Sequence, residues 1–351
     1  MRTSLLTFLF FIQTLIFVCY TQIPSGYYDK ALGKSTAQLK TSLHSVISSG
    51  YKDNGYDYLY TIYETSDRRS DGKIWDMYSN CIWTFGQKKC GNYKNVCDCY
   101  NREHSIPQSW FNERAPMKSD AFHIYPTDGR VNGQRSNYPF GECSNGTTLS
   151  MGKGRLGSST FSGYSGTVFE PDDEYKGDFA RTYFYFATRY EDIMTTIGGE
   201  SFNGTIYPAL SSWSQNLFLK WHRQDPVSQK EIDRNNAIYV HQKNRNPFID
   251  HPELVEYIWG TKIDTPWDIS SAIDFPDYAI FFNFDAEYKM IKLNIDNYDL
   301  SYSIININGQ QIKAGIVEPY SEISVSNISS GLYFIKFNSN QIKAIRKFII
   351  H

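Results

Sequence analysis

The sequence predicts an α+β protein that is mainly helical up to about residue 262 and forms a small antiparallel β region afterwards. Apolar residues recur at spacings of three and four between Phe179 and Ile193, which is typical of a helix with one buried face. After residue 280 the apolar residues alternate instead, as in Ile291, Leu293 and Ile295, which is typical of strands. The length of 351 residues fits two folded units.

The first residues have the features of an export signal. Arg2 precedes an uncharged run of 14 residues, Leu5–Val18. Because about 20 apolar residues are needed to span a bilayer, this run is short for an anchor helix and matches the apolar part of a signal peptide. We therefore predict a signal peptide over residues 1–21 and export to the exterior or the cell surface.

Three further helices are predicted in the N-terminal region. Residues 37–47 have amphipathic spacing. Asp225 and Pro226 predict the N-cap and first residue of a helix that ends near residue 244. Another helix is expected over 252–260. Residues 100–170 are rich in Gly, Asn, Ser and Pro, so we expect loops that are too polar for the core and that carry the functional site.

The C-terminal strands are predicted from alternating apolar residues and turn signals. Ser303, Ile305 and Ile307 alternate before a turn at Asn308–Gly309, and a similar pattern follows at 323–337. The resulting division of the chain is a signal peptide, a helical domain, a linker and a β module, at residues 1–21, 22–262, 263–280 and 281–351.

Charge and cysteine content restrict the class of protein. The net charge of −2 excludes a polycation that holds nucleic acid by overall charge. Residues 101–160 nevertheless carry two more basic than acidic side chains, which predicts weak and salt-sensitive binding of nucleic acid. Five cysteines follow the signal and allow two disulfides and one free thiol in fifteen arrangements. The alternative is a zinc site at Cys97, Cys99 and a nearby His, although the cysteine spacing is not the paired CxxC of structural zinc sites.

The segment CYNREHSIPQSWF at 99–111 places Glu103 beside His104, and VNGQRSN at 131–137 adds Asn132 and Arg135. Carboxylate and amide oxygens suit Mg²⁺. An imidazole can accept a proton from an attacking water, and a guanidinium can neutralise a phosphate. Adjacent side chains point to opposite faces of an extended strand, but both can approach one site at a strand end. Together these groups predict metal-assisted hydrolysis of a phosphodiester.

Four longer blocks resemble the bacterial extracellular endonuclease I family. They are NREHSIPQSW, SDAFHIYPTDGRVNGQRSNYPFGE, FEPDDEYKGDFARTYFYFATRY and NRNPFIDHPELVEYIW, and the resemblance covers residues 26 to 262. It implies a ββα-metal nuclease, in which two strands and a helix lie within a mainly helical protein. Glu103 and Asn132 would then bind Mg²⁺, with Mn²⁺ or Ca²⁺ as possible replacements, and His104 would be the general base.

The same resemblance implies the substrate, and other side chains of these blocks are our own further candidates for the site. The family cleaves DNA, and often RNA, with little sequence preference, leaving 5′-phosphate and 3′-hydroxyl ends. Arg135 would be a catalytic residue that stabilises phosphate, with Arg102 and Arg130 as weaker nucleic-acid contacts and His123 in a supporting layer. The alternative for each arginine is a surface or ion-pair residue, and for His123 it is a structural histidine.

The β module has a resemblance of its own. The segments NGQQIKAG, ISVSNISSGLYFIKF and AIRKFII resemble the C-terminal sorting domain of the type IX secretion system. This implies a small β-sandwich that the secretion machinery recognises, whereas the alternative is an ordinary carbohydrate-binding or structural domain. The sequence thus predicts a secreted endonuclease without an obligate protein partner. The rival functions are a nucleic-acid-binding protein that lacks catalysis and an adhesin.

Overall fold

A computed structural model describes residues 23–150, 153–268, 281–285, 289–294, 300–306, 309–317, 322–338 and 343–350. The predicted signal peptide and most of the predicted linker lie outside these residues. The chain divides into two compact units, Met1–Pro266 and Trp267–His351. Within the described ranges no helix is long and apolar enough to cross a bilayer.

The first unit is organised around one buried helix. The described part of this unit contains α1 Thr36–Ser48, α2 Leu59–Ser66, α3 Gly129–Arg135, α4 Lys176–Arg189, α5 Ser212–Gln224, α6 Gln229–Gln242, α7 Pro247–Asp250 and α8 Leu254–Ile258. Every residue of α4 after Lys176 is buried, and this helix contacts α1, α5 and α7. A helix that is buried on all sides belongs to the core. Its aromatic side chains, which include Phe179, Tyr183 and Phe186, supply much of the apolar surface.

Two strands and a helix hold the segments that carry the predicted site. β1 Tyr100–His104 pairs antiparallel with β2 Ile124–Asp128, and His104 lies opposite Ile124. Asp128 ends β2 and caps α3, because its Oδ1 accepts hydrogen bonds from the backbone N–H groups of Arg130 and Val131 at 2.8 and 3.0 Å. Since α3 contacts both strands, its side chains lie beside β1.

The region expected to consist of polar loops contains more regular structure than the sequence predicts. β2 is buried along its whole length. A three-stranded antiparallel sheet follows, in the order β3-β4-β5, formed by Thr147–Ser150, Lys153–Ser158 and Thr167–Glu170. Composition is a poor guide here because several polar residues of this region are buried. Asp120, for example, is satisfied inside the protein, where its Oδ2 accepts hydrogen bonds from the hydroxyls of Tyr185 and Tyr190.

Two disulfides form before β1, as the cysteine count predicts. Cys81 pairs with Cys97 and Cys90 pairs with Cys99, whereas Cys143 is a buried free thiol. The zinc alternative is wrong, because its two cysteines belong to separate disulfides. The two disulfides cross-link the irregular segment 75–99, which leads directly into β1. The backbone N–H of Cys97 also donates a hydrogen bond to Asp128 Oδ2 at 2.6 Å.

The helix predictions are confirmed for α1 and α4 but the predicted start of α6 is wrong. Ser228, not Asp225, is the N-cap of α6, and it forms a reciprocal capping box with Glu231. Asp225 instead accepts a hydrogen bond from the backbone N–H of Gly177 at 2.7 Å. An Asp-Pro pair can cap a helix, but here the carboxylate binds a backbone N–H that is distant in the sequence and not one of the first turn of α6.

The second unit is rich in strands. Its described strands are β6 Phe281–Asp285, β7 Met290–Asn294, β8 Leu300–Asn306, β9 Gln311–Val317, β10 Glu322–Ser324, β11 Gly331–Asn338 and β12 Lys343–Ile350. They form antiparallel sheets in the orders β10-β7-β6 and β12-β11-β8-β9. Buried residues from both sheets, among them Ile291, Ile304, Ile323 and Ile335, belong to one hydrophobic cluster. In β8 the buried side chains are Tyr302 and Ile304. The alternation predicted through Ser303 and Ile305 is therefore one residue out of step with the face that is buried. Ile307 and Asn308 lie outside the described residues.

Candidate active site

Glu103 lies in β1 and is held by two donors. Its side chain is buried, and Oε1 accepts hydrogen bonds from the Tyr78 hydroxyl and from Arg135 Nη1, both at 2.8 Å. Burial raises the pKa of Glu103, while the charge of Arg135 opposes that shift. Oε2 accepts no hydrogen bond from the residues that the structure describes, so one carboxylate oxygen is fixed and the other is available to a ligand.

His104 ends β1 and is surrounded by rings. Its Nε2 lies 3.2 Å from the backbone carbonyl oxygen of Lys118. Its ring lies 5.8 Å from Tyr56, 6.0 Å from Phe111 and 5.6 Å from His123, measured between ring centroids. Burial, and secondarily His123, lowers the pKa of His104 well below its ordinary value.

Asn132 projects from α3 toward β1. Its Nδ2 donates a hydrogen bond to Asn101 Oδ1 at 2.8 Å. Asn101 and Glu103 are two residues apart in β1 and therefore lie on the same face of the strand. The structure thus places a carboxylate and two carboxamides along one face between β1 and α3. Sequence reasoning identified Glu103 and Asn132 but missed Asn101, which the alternation of β1 could have indicated.

Arg135 is buried, with 1% of its surface exposed. In addition to the bond with Glu103, its Nη1 donates to the backbone carbonyl of His104 at 2.8 Å and its Nη2 donates to that of Ser105 at 2.5 Å. The guanidinium also lies 4.7 Å from the ring centroid of Phe140. The Nη1 and Nη2 groups of Arg135 therefore donate to protein oxygens at the end of β1.

The two arginines predicted as weaker contacts differ in their surroundings. Arg102 is half-buried, and its Nη1 donates to the backbone carbonyl of Tyr56 at 3.0 Å and to Asp57 Oδ1 at 2.9 Å. Arg130 is exposed at the start of α3 and forms no ion pair with the described residues. Arg102 and His104 lie two residues apart, so both belong to the face of β1 opposite Glu103.

His123 is fully buried behind His104. Its Nε2 lies 2.7 Å from the backbone carbonyl oxygen of Met117, and its ring contacts those of Phe111 and Phe186. Burial lowers the pKa of His123 to about 4. Its Nδ1 is buried and has no hydrogen-bond partner among the described residues. This position is compatible with the supporting role predicted for His123, which stays a prediction.

The residues between β1 and α3 fit a hard divalent cation. Glu103 offers Oε2, and Asn132 offers its carbonyl oxygen because its amide nitrogen is already engaged with Asn101. A different group in the described residues, Cys81, Cys97 and Asp128, brings three atoms of metal-ligand type, two sulfurs and one carboxylate oxygen, within 4.8 Å of one another. That group does not fit a metal, because both sulfur atoms belong to one disulfide.

Comparison with known proteins decides the family. Residues 35–253 match the sequence profile described as Endonuclease I. The chain belongs to the endonuclease I family. This endonuclease is 36% identical over 249 residues to an extracellular ribonuclease of Bacillus amyloliquefaciens, covering 66% of this chain and 78% of the relative. It is 28% identical over 169 residues to an extracellular deoxyribonuclease of Aeromonas hydrophila, covering 48% of this chain and 62% of the relative.

The second unit has a separate match. Residues 285–351 match a secretion system C-terminal sorting domain. Together with the extracellular relatives, this assigns the endonuclease to secretion or to the cell surface, by the type IX route. The resemblances inferred from the sequence are therefore confirmed for both regions.

Tyr78 is a second residue of the candidate site, after Asn101, that the sequence did not indicate. It precedes Glu103 by 25 residues and lies in an irregular segment without a motif. The buried carboxylate of Asp76 shapes that segment by accepting hydrogen bonds from the backbone N–H of Tyr78 and from the Trp83 indole, at 2.8 and 2.9 Å. This turn brings the Tyr78 hydroxyl to Glu103.

Proposed function

We propose that this endonuclease hydrolyses phosphodiester bonds of DNA and RNA with Mg²⁺, leaving 5′-phosphate and 3′-hydroxyl ends. In this proposal β1, β2 and α3 are a ββα-metal motif, Glu103 and Asn132 hold the cation, and His104 is the general base. The observation that carries the proposal is the contact between His104 Nε2 and the carbonyl of Lys118.

The contact at Nε2 supports Nδ1 as the basic nitrogen of His104. A carbonyl oxygen can only accept a hydrogen bond, so the proton of the neutral imidazole belongs on Nε2. Nδ1 then carries the lone pair, and it receives no hydrogen bond from the described residues. In the proposed reaction a water donates its proton to Nδ1 as its oxygen attacks phosphorus. The bond from phosphorus to the 3′-oxygen breaks, and that oxygen takes a proton from solvent.

The endonuclease I family is in general metal-dependent, and the oxygen set between β1 and α3 supports this requirement here. A bound divalent cation would stabilise the charge that develops on the phosphate and on the leaving oxygen. Glu103 and Asn132 come from a strand and a helix whose packing fixes their separation. Mg²⁺ retains several waters, which is compatible with so few protein ligands.

Arg135 and Tyr78 act in this proposal as positioning residues. Both donate to Glu103 Oε1, so they hold the carboxylate with Oε2 toward the cation. Arg135 also joins the carbonyl groups that follow Glu103, which fixes the end of β1 and with it His104. The phosphate contact that the sequence assigned to Arg135 passes in this proposal to Arg102, whose Nε and Nη2 donate to no acceptor in the described region.

The names of the relatives support a broad substrate range. One relative is described as an extracellular ribonuclease and another as an extracellular deoxyribonuclease. Nucleases that bind the phosphate backbone read little base sequence, because phosphates carry no base information. We therefore include RNA as well as DNA among the proposed substrates.

Plasmid nicking tests the proposal. The protein should convert supercoiled DNA to open circles with Mg²⁺ and lose this activity in EDTA. His104→Ala should reduce the rate at least about 100-fold, because a positioned general base contributes about 10²–10⁴. His241→Ala is a matched control, since this partly buried histidine contacts Tyr58 outside the site. Normal cleavage by His104→Ala would refute the mechanism.

The β-rich unit is proposed to be a β-sandwich that the type IX machinery recognises. Its support is the sorting-domain match and the single hydrophobic cluster formed by both sheets. Removal of residues 281–351 should leave the nuclease inside the cell envelope, measured by comparing activity in culture supernatant and cell fractions. Undiminished export of the truncated protein would contradict this role.

A further inference from the structure

We propose that a surface beside His104 binds a single-stranded segment of nucleic acid, with bases on tyrosine rings and phosphates on basic side chains. We call this surface the aromatic–basic strip and define it by Tyr56, Tyr60, Lys89, Arg102 and Lys118. The inference rests on the proposed nuclease function and specifies the form of its substrate.

The strip starts at the proposed base. The Tyr56 ring lies 5.8 Å from that of His104 at an interplanar angle of 32°. The Arg102 guanidinium carbon lies 3.5 Å from the Tyr56 ring centroid and 4.7 Å from that of Tyr60. One guanidinium therefore joins two rings, and the order along the strip is His104, Tyr56, Arg102 and Tyr60.

Two lysines extend the positive charge. Lys89 Nζ lies 4.5 Å from the Tyr60 ring centroid at the end remote from His104, and Lys118 Nζ lies 5.6 Å from that of Tyr56. Lys89 is exposed, while Lys118, Tyr56 and Tyr60 are half-buried, so each of these four residues has surface in contact with solvent. Rings and cations thus alternate over the strip.

Two carboxylates pair with these cations. Asp57 Oδ1 lies 2.9 Å from Arg102 Nη1, and Glu113 Oε2 lies 2.7 Å from Lys118 Nζ. Both acidic side chains are largely exposed, at 98% and 62%. Exposed ion pairs are weak, so the phosphates of a bound strand can replace these carboxylates. Asp57 is expected to compete with the nucleic acid for Arg102.

The alternation of rings and cations favours a single strand over a duplex. Unpaired bases can leave the stack and lie on aromatic rings, whereas duplex bases are paired and stacked on one another. Cations near rings also keep their charge accessible to phosphate while they lie over the ring face. The spacing from His104 outward means that a strand on this surface would present a phosphate near the proposed base.

Fluorescence anisotropy in EDTA, where no cleavage is expected, measures binding without turnover. The probes are a labelled 12-nucleotide oligothymidylate and a 12-base-pair duplex. Tyr60→Leu should weaken binding of the single strand about tenfold and that of the duplex far less, since one stacked base is lost. Tyr58→Leu is the matched control, because this exposed tyrosine contacts His241 away from the strip.

Two charge variants separate binding from misfolding. Asp57→Asn should strengthen single-strand binding by about threefold to tenfold, and a gain of affinity is not an effect of misfolding. Lys89→Gln should reduce the slope of log K against log salt by about 0.7, the value for one phosphate contact in a single strand.

The outcomes distinguish the strip from the proposed function. Unchanged affinity for the single strand in Tyr60→Leu, Asp57→Asn and Lys89→Gln, in a protein that cleaves plasmid through His104, overturns the strip alone. Equal losses for the duplex and the single strand in Tyr60→Leu also overturn it. Normal plasmid cleavage by His104→Ala overturns the proposed mechanism instead.

Discussion

Replacement of Arg135 distinguishes a structural from a phosphate-binding role. The guanidinium is buried, forms an ion pair with buried Glu103 and donates to the carbonyl groups of His104 and Ser105. Arg135→Met removes the charge and these donors while it retains much of the apolar volume. The carboxylate of Glu103 then keeps only the Tyr78 hydroxyl as donor, so a buried charge loses its partner.

The expected loss follows from that burial. Breaking a buried ion pair by removing one partner costs about 3–5 kcal/mol of unfolding free energy. For a domain of this size, this corresponds to a decrease in Tm of about 6–20 °C. Arg135→Lys should give an intermediate loss, because one ammonium group cannot replace a planar fork that reaches three acceptors.

Thermal unfolding followed by circular dichroism, without nucleic acid or metal, measures this loss directly. Arg130→Met is the control, because Arg130 is an exposed arginine of the same helix, and its unfolding free energy should stay within about 0.5 kcal/mol of wild type. If Arg135→Met were as stable as wild type while its KM for plasmid DNA rose, the positioning role would be refuted and the phosphate contact restored.

Three further predictions follow from individual contacts. Tyr78→Phe removes one donor to Glu103 Oε1 and should weaken Mn²⁺ binding about 10-fold by calorimetry, whereas unchanged affinity would exclude Tyr78 from the metal site. His222 has its pKa lowered from 6.5 to about 4, chiefly by burial. The unfolded chain therefore takes up a proton at this histidine that the folded protein does not take up as pH falls from 6.5 to 4, and this difference should cost about 2 kcal/mol of stability between pH 7.5 and 5. Because buried His104 and His123 add losses of the same sign, the total loss measured by urea unfolding at both pH values should be about 2 kcal/mol smaller in His222→Gln than in wild type. Ser228→Ala removes the capping box with Glu231 and should cost about 1 kcal/mol in the same assay, whereas Ser228→Asn, which retains a capping oxygen, should cost less.

The sequence predicts best where a pattern reports local burial. Repeats of three and four residues locate α1 because one face of this helix must meet the core. The same spacing locates α4, although the structure buries that helix on all sides and not on the single face that the spacing predicts. The capping of α6 is missed because two local signals compete, and a contact between Asp225 and Gly177, 48 residues apart, decides between them. The choice of buried face in β8 fails for a similar reason, since alternation gives the period of a strand but not which side meets the other sheet.

The sequence by itself determined the candidate site residues Glu103, His104 and Asn132, the number of disulfides, and the division into a helical and a strand-rich region. Only the tertiary structure decided that Arg135 faces Glu103, that the Tyr78 hydroxyl shares this carboxylate, and which cysteines pair. The physical reason is that composition and periodicity indicate whether each residue faces water or the core. Partners far apart in the chain are selected only when packing brings a buried charge to the donors that satisfy it.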